Sequence, residues 1–287
     1  MSGEIVIEPV EDLEGFHACE RLQKEVWGFE DLAVVPDHVL LTVVKGGGLL
    51  LGAFAEEGSS REMVGFVLSF FGRAEDGTLK HCSLMAAVRA GWRDRGLGYR
   101  LKLAQRDHVL RQGVGLITWT FDPLESRNAH FNLNKLGCVA TTYLINYYGS
   151  LRDERNRGLP TDRFLCEWHL RAPRVEGRLA RGYSPPGSEL VRELPRALDA
   201  ETGMDLPRPR GAMLGLEANR IIVEIPSDFQ GLKARDLELA RAWRLATREV
   251  LSHYMGRGYL AVGLLRDGDR SFLLLERASL GEVLKRP

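Results

Sequence analysis

Arg93-Asp94-Arg95-Gly96-Leu97-Gly98 is the stretch on which the fold and the function of this chain turn. Before it lies a segment that reads as a strand, about Leu79 to Arg89. After it, Leu97 to Arg111 reads as a helix, with Leu97, Leu101, Ala104, His108 and Leu110 along an approximate apolar face. Gly96 and Gly98 let the main chain approach a ligand without a Cβ in the way. The first N–H groups of a helix have no partner within it and carry the positive end of its dipole, so a pyrophosphate suits that position. Between Arg89 and Arg111 seven Lys or Arg stand against two Asp, a local surplus of five positive charges. Taken alone, the segment also reads as a tight glycine turn followed by a solvated basic helix face. It is not a dinucleotide fingerprint, because only one Gly-x-Gly is present, and no Gly-Lys-Ser/Thr follows to make a Walker loop.

Upstream, Glu4 to Glu8 reads as a strand and Asp12 to Val26 as a helix. A second helix is expected from Pro36 to about Lys45, ended by Gly46-Gly47-Gly48. Leu49–Ala55 and Met63–Phe71 read as neighbouring strands joined through Gly58, Ser59 and Ser60. Downstream, Leu116–Phe121 reads as a buried strand closed by Asp122-Pro123, and Ser126–Leu136 as a helix stopped by Gly137. Two more strands, Cys138–Tyr148 and Phe164–Leu170, flank the charged run 152–157. Six of the twelve prolines then fall between Ala172 and Gly215, which reads as a linker holding short helices such as Ser188–Leu198. Beyond it come a strand at Asn219–Ile225 and a long helix at Asp236–Gly256, whose apolar stripe is Leu239, Trp243, Ala246, Val250 and Tyr254. A hairpin turning at Asp267-Gly268 completes this part. The expected organisation is a first domain at 1–171, a Pro-rich linker at 172–215 and a smaller α/β region at 216–287.

The chain's 39 Lys and Arg equal its 39 Asp and Glu, so no global attraction to nucleic acid or an anionic membrane is expected. The first nine residues do not read as a signal peptide, and the longest apolar runs are far short of the ~20 residues of a membrane span. A cytoplasmic protein without membrane partners is expected. Cys19, Cys82, Cys138 and Cys166 form no zinc-type spacing, so they read as free thiols and no metal is expected.

The pattern Arg-x-x-Gly-x-Gly between a strand and a helix resembles motif A of the GNAT superfamily of N-acetyltransferases. Other features agree. The order strand, two helices, three strands, helix, strand, helix, two strands across residues 4–171 is the GNAT order. Ala86-Ala87-Val88 matches the family's strand along pantetheine, and Ser126 to Gly137 resembles motif B. The segment from Arg157 to Arg163 and the region after it resemble a subgroup of acyltransferases with a C-terminal extension. The resemblance implies a mixed, mostly antiparallel α/β sheet whose two central strands, Leu79–Arg89 and Leu116–Phe121, are parallel and splay apart. Acetyl-CoA or succinyl-CoA is the implied co-substrate, held by Ala87, Val88, Arg93, Arg95, Gly96, Leu97, Gly98 and Asn128. The implied partner is a small-molecule amine, an amino acid in the leading reading.

Direct acyl transfer needs a neutral amine, a stabilised oxyanion and a proton for the departing thiolate. The family's motif B tyrosine is replaced here by Leu133 and its helix-start asparagine by Ser126, with Asn128 close by. Leu133 donates no proton. Asp122, at the end of a splayed strand, is the candidate acceptor of the ammonium proton. Tyr147 is the candidate acid, with Tyr143 expected on the same strand face and Tyr148 next to it. His81 is expected to be an exposed strand-end residue. Glu25, Trp27 and Phe29 border a loop that in this fold commonly covers the acceptor. Residues 219–277 repeat the strand-helix-strand-strand order of 116–170, so the C-terminal region is expected to be a degenerate half-copy of a GNAT domain. It would pack on the first domain or on a second copy as a homodimer. Two alternatives remain open from sequence: a protein N-acetyltransferase, and a CoA-binding protein without catalysis.

Overall fold

Asp12 opens the first helix by accepting the Gly15 N–H at 2.7 Å, and Gly28 closes it in the left-handed conformation at φ 66°. The computed structural model describes residues 4–58, 60–151, 153, 155–182, 188–201, 203 and 205–286. Ser59 of the first hairpin, Arg152 and Glu154 of the charged run, and Pro185 and Pro186 of the linker lie outside the described residues. The chain divides into two units, Met1–Trp119 and Thr120–Pro287.

In the first unit β1 (Glu4–Pro9), α1 (Leu13–Trp27), α2 (Asp37–Lys45), β2 (Leu49–Glu57), β3 (Ser60–Arg73), β4 (Leu79–Val88) and α3 (Leu97–Arg111) lead into β5 (Leu116–Phe121). The strands lie in the order β1-β2-β3-β4-β5, antiparallel up to β4, with β5 parallel to β4. Period-two alternation sends Phe66 and Leu68 of β3 to one face, among Phe16, Leu22 and Leu40 of the first two helices. Val67 goes to the other, among Leu97 and Leu101 of α3.

His81 is not the exposed strand end expected from sequence. It is completely buried, its Nδ1 is 3.0 Å from the Ser69 Oγ, and its ring is 4.5 Å from that of Phe71. Burial pushes its pKa down, and burial does the same at His108 and His130. A histidine held neutral in the fold binds fewer protons than the unfolded chain below its ordinary pKa. Its contribution is therefore complete above ~6.5 and is lost as pH falls. Thermal melts should show a falling melting temperature as pH goes from about 7.5 to about 5.5. A flat or rising profile would contradict the buried neutral ring.

The second unit carries α4 (Ser126–Ala129), running on as a π-helical segment His130–Lys135, then β6 (Val139–Leu144) and β7 (Arg163–His169). The proline-rich stretch holds α5 (Pro173–Arg181), α6 (Ser188–Glu193), β8 (Arg196–Leu198), β9 (Ala200–Glu201) and β10 (Arg208–Pro209). After it come β11 (Arg220–Ile225), α7 (Phe229–Arg235), α8 (Leu237–Met255), β12 (Tyr259–Asp267), β13 (Arg270–Arg277) and α9 (Leu280–Leu284). The strand order in this unit is β7-β6-β12-β13-β11-β8, with β9 and β10 in a separate pair. The β6–β7 and β12–β13 hairpins meet through one antiparallel pair, Ala140 with Ala261. Each hairpin slips register just after that alanine, between Ala140 and Thr142 in one and between Ala261 and Gly263 in the other. A bulge at the matching place in two hairpins that face each other head to tail is a pseudo-twofold feature. The unit boundary at Trp119 falls inside β5, away from the expected 171 and 215. Residues 120–171 form one sheet with the C-terminal strands, and 172–215 threads it with β8. Among the described residues no helix is long and apolar enough to cross a membrane.

Candidate functional site

The pairing between β4 and β5 is short. It joins His81 to Ile117 and Cys82 to Thr118, whereas β4 pairs with β3 as far as Val88. The β3–β4 ladder slips register between Leu68 and Ser69, which makes Leu84 the extra residue on β4. A bulge bends its strand and increases local twist, and this one lies just past the last β4–β5 pair. From Ser83 onward β4 therefore presents an edge towards a gap, and extended main chain along a gap can receive a ligand that hydrogen bonds like a strand. Ala87, one of the residues expected along pantetheine, is buried on β4, and Val88, the other, ends the strand. At the apex of the gap, Lys102 of α3 donates to the Ser83 Oγ at 2.9 Å and lies 3.9 Å from the ring centre of Trp119 on β5.

The loop from β4 to α3 is shaped by left-handed backbone. Asp94 has φ 65° and Gly96, the N-cap of α3, has φ 76°. Left-handed residues in such a turn draw successive N–H groups towards one point. No side chain caps α3 and its first turn holds no acidic residue, so its start stays positive. Arg93 turns back and donates through Nε to the Val88 carbonyl at 3.0 Å, joining two of the residues expected to hold the cofactor. Arg95 lies 5.2 Å over the ring of Trp92. Gly98 is informative because its φ is ordinary and a Cβ built on it would meet only Val88 Cγ2, at 3.8 Å. Neither backbone strain nor packing within the chain demands glycine there. In the same unit Trp27 stacks on Phe29 at 5.4 Å, and Glu25 pairs with Arg89 at 2.9 Å.

The second unit gathers charge below the surface. Asp122 follows β5, accepts the Leu124 N–H at 2.9 Å through Oδ1, and accepts from Arg163 at 3.4 Å and from Arg244 through Oδ2. Asp162 is fully buried. It takes two bonds from Arg248 at 2.8 and 2.9 Å, one from the Tyr143 hydroxyl at 2.6 Å and one from the Asn146 N–H at 2.9 Å. Burial opposes its charge, yet Arg248, Tyr143 and Asn146 hold its carboxyl below the usual range. Burial pushes the Tyr143 phenol well above its usual range, and the Asp162 charge adds to this. Burial likewise raises the Glu125 carboxyl, against the lowering effect of its hydrogen bond from Gln230.

Tyr147 does not share a strand face with Tyr143. β6 stops at Leu144, and the chain turns at Asn146, whose φ is 46° and whose N–H is held by Asp162. Tyr147 is left exposed with its ring 4.7 Å from that of Tyr148. Asn128 is exposed on α4, while Ser126 is buried with its Oγ 2.9 Å from the Ser271 Oγ of β13. Leu133 is completely buried in the π-helical segment. Beside it, Asn134 donates to the Leu264 carbonyl at 2.8 Å and accepts the Leu264 N–H at 2.9 Å, so this helical segment is fastened to β12. Placing a tyrosine there by Leu133→Tyr should therefore lower stability by about 1–3 kcal/mol through overpacking and give no gain in thiol release. Faster turnover in that variant would contradict the burial.

Sequence reading missed Arg244. It is absent from the apolar stripe expected for its helix, but α8 buries Ala240, Trp243, Arg244, Thr247, Val250, Leu251 and Tyr254, and leaves Ala246 half-buried. Spacings of three, one, three, three, one and three follow the 3.6-residue period as well as the all-apolar stripe does, and only the charge argued against it.

No protein-family profile matches the chain, and no curated protein matches it. Solved structures do. The NatC complex bound to Gag peptide and CoA contains a chain 17% identical, the match covering 58% of this chain and 98% of that one at a TM-score of 0.46. Arabidopsis thaliana Naa50, in complex with the bisubstrate analogue CoA-Ac-MVNAL, is 16% identical over 57% of this chain and 97% of its own, with a TM-score of 0.44. The ribosomal-protein-S18-alanine N-acetyltransferase from Escherichia coli is 14% identical over 58% of this chain and 94% of its own, with a TM-score of 0.45. The order of its elements, its mostly antiparallel pairing and the short parallel contact of β4 with β5 agree with the mixed α/β sheet expected from the sequence.

Proposed function

We propose that the chain binds acetyl-CoA or succinyl-CoA along the open edge of β4 and at the start of α3, and transfers the acyl group to a small amine, an amino acid in the leading reading. The observation that carries the reading is Gly98, a glycine that the chain's own packing and backbone do not require. A pyrophosphate lying on the first N–H groups of α3 supplies the missing reason, because a side chain there would occupy its place. Arg95 and the helix dipole add positive charge at the same end.

The amine nitrogen attacks the thioester carbonyl, the carbon–nitrogen bond forms, the carbon–sulfur bond breaks, and the thiolate takes a proton. Leu133 gives none. Tyr147, an exposed residue, is the proposed donor. Asp122, proposed from sequence to take the ammonium proton, has both oxygens engaged by Leu124 and two guanidinium groups. With neither oxygen free to meet an ammonium group, we assign it to holding Arg163 and Arg244 in place. Much of the rate would then come from positioning. We also retain 1–171 as the GNAT domain and 216–287 as a degenerate half-copy, a division supported by the matched bulges of the two hairpins.

A thiol-release assay with acetyl-CoA and succinyl-CoA against an amino acid panel tests this function. Turnover with at least one pair is expected. Coenzyme A binding without turnover on amino acids or on N-terminal peptides would favour the non-catalytic reading, to which the loss of the motif B tyrosine points. Turnover on peptides alone would make the chain a protein N-acetyltransferase.

A further inference from the structure

Arg244 is 1% exposed, yet only Nη2 has a protein partner, Asp122. Its Nε and Nη1 meet no acceptor. The Phe229 ring lies 5.5 Å from Cζ and covers one flat face, so a further partner has to come edge-on. The neighbouring carboxylates are already committed. Asp122 divides its oxygens between Leu124 and two arginines, and Asp162 is filled by Arg248, Tyr143 and Asn146. Three guanidinium groups therefore share two carboxylates. Glu125, close enough to feel both Asp122 and Arg244, accepts from Gln230 instead. Buried donors without acceptors are among the costlier features of a fold, and a buried guanidinium with an unfilled edge is a ready site for a planar anion.

We propose that the second unit holds a carboxylate-binding site on the unfilled edge of Arg244, and that its ligand is an α-amino acid whose ammonium group faces the Glu125 carboxyl. A carboxylate brings two acceptors in the plane of the guanidinium, which one water does not. The nearby acidic side chain suits the cationic group carried on the next carbon of such a ligand. The inference rests on the acyl-transfer reading only for the role of the bound amino acid as acceptor. Binding itself requires no coenzyme A.

Calorimetric titration of the full chain, with no coenzyme A present, tests the site using L-alanine, L-phenylalanine and L-glutamate beside their α-amides. At least one free acid should bind, with its amide weaker by about tenfold or more. Arg244→Lys keeps a cation for Asp122 but loses the paired donors, so it should bind that acid about tenfold more weakly while the ligand-free melting temperature stays close to that of the parent. If the variant does not fold, the acid-against-amide comparison on the parent chain decides alone. The site is refuted if no acid binds, if an amide binds as tightly as its acid, or if Arg244→Lys binds like the parent. Inorganic phosphate binding more tightly than all three acids would make this a phosphate site and overturn the amino acid assignment. Loss of coenzyme A binding with amino acid binding intact would sink the acyl-transfer reading and leave this one standing.

Discussion

Gly98→Val should weaken coenzyme A binding by roughly 100-fold or more without lowering the melting temperature by more than a few degrees. Two charge-assisted bonds from helix-start N–H groups to a pyrophosphate contribute roughly 1.5–3 kcal/mol each, and a factor of ten in affinity is about 1.4 kcal/mol. A branched side chain at residue 98 projects from the first turn of α3 into the space those oxygens need. Stability is spared because a Cβ there meets only Val88, at 3.8 Å, and φ is already in the ordinary region. Valine is a weak helix former but costs no more than glycine by helix propensity. Calorimetry with coenzyme A and parallel thermal melts measure both quantities. Unchanged binding in a folded variant would remove the pyrophosphate from this helix start. Gly96 makes the contrast: at φ 76° any other residue is strained, so a substitution there mixes folding with binding and is the poorer test.

Asp162→Ala should be the most destabilising single change in the charged cluster of the second unit. It leaves the Arg248 guanidinium, the Tyr143 hydroxyl and the Asn146 N–H without the acceptor that now holds them. Breaking a buried ion pair from one side costs about 3–5 kcal/mol, and Arg248, at 26% exposure, recovers part of this from water, placing the loss near the lower end. A fall in melting temperature of roughly 10 °C is expected. The Asn146 turn should loosen as well, because its left-handed φ of 46° is held partly by that carboxylate. Chemical denaturation of the variant checks this, and a loss below about 1 kcal/mol would show that the carboxylate is dispensable.

What could be read from sequence follows from which signals were local. α3 begins and ends where the glycine-containing turn and the apolar spacing place it, and β5 is found at its expected bounds. Both rest on periodicity and breakers within a dozen residues. Tyr147 failed that test because the end of β6 is set by Asp162, sixteen residues beyond the Asn146 N–H that it holds. His81 failed because burial at a sheet's closed end depends on Ser69 and Phe71 of the neighbouring strand. Arg244 was hidden for a third reason: its spacing was correct for burial, but a charge is not buried without partners, and its partner Asp122 lies 122 residues away. The β4 edge was legible only through its resemblance to a known family. The bulge at Leu84 that frees the edge has no sequence mark of its own.

Amide hydrogen exchange with and without coenzyme A tests the central claim most directly. The account predicts slowed exchange at Ser83–Val88 of β4 and in the first turn of α3 at Leu97–Arg100, with little change on the β1 and β2 side of the sheet. Slowing elsewhere with none in those two segments, or no change at saturating coenzyme A, would contradict it.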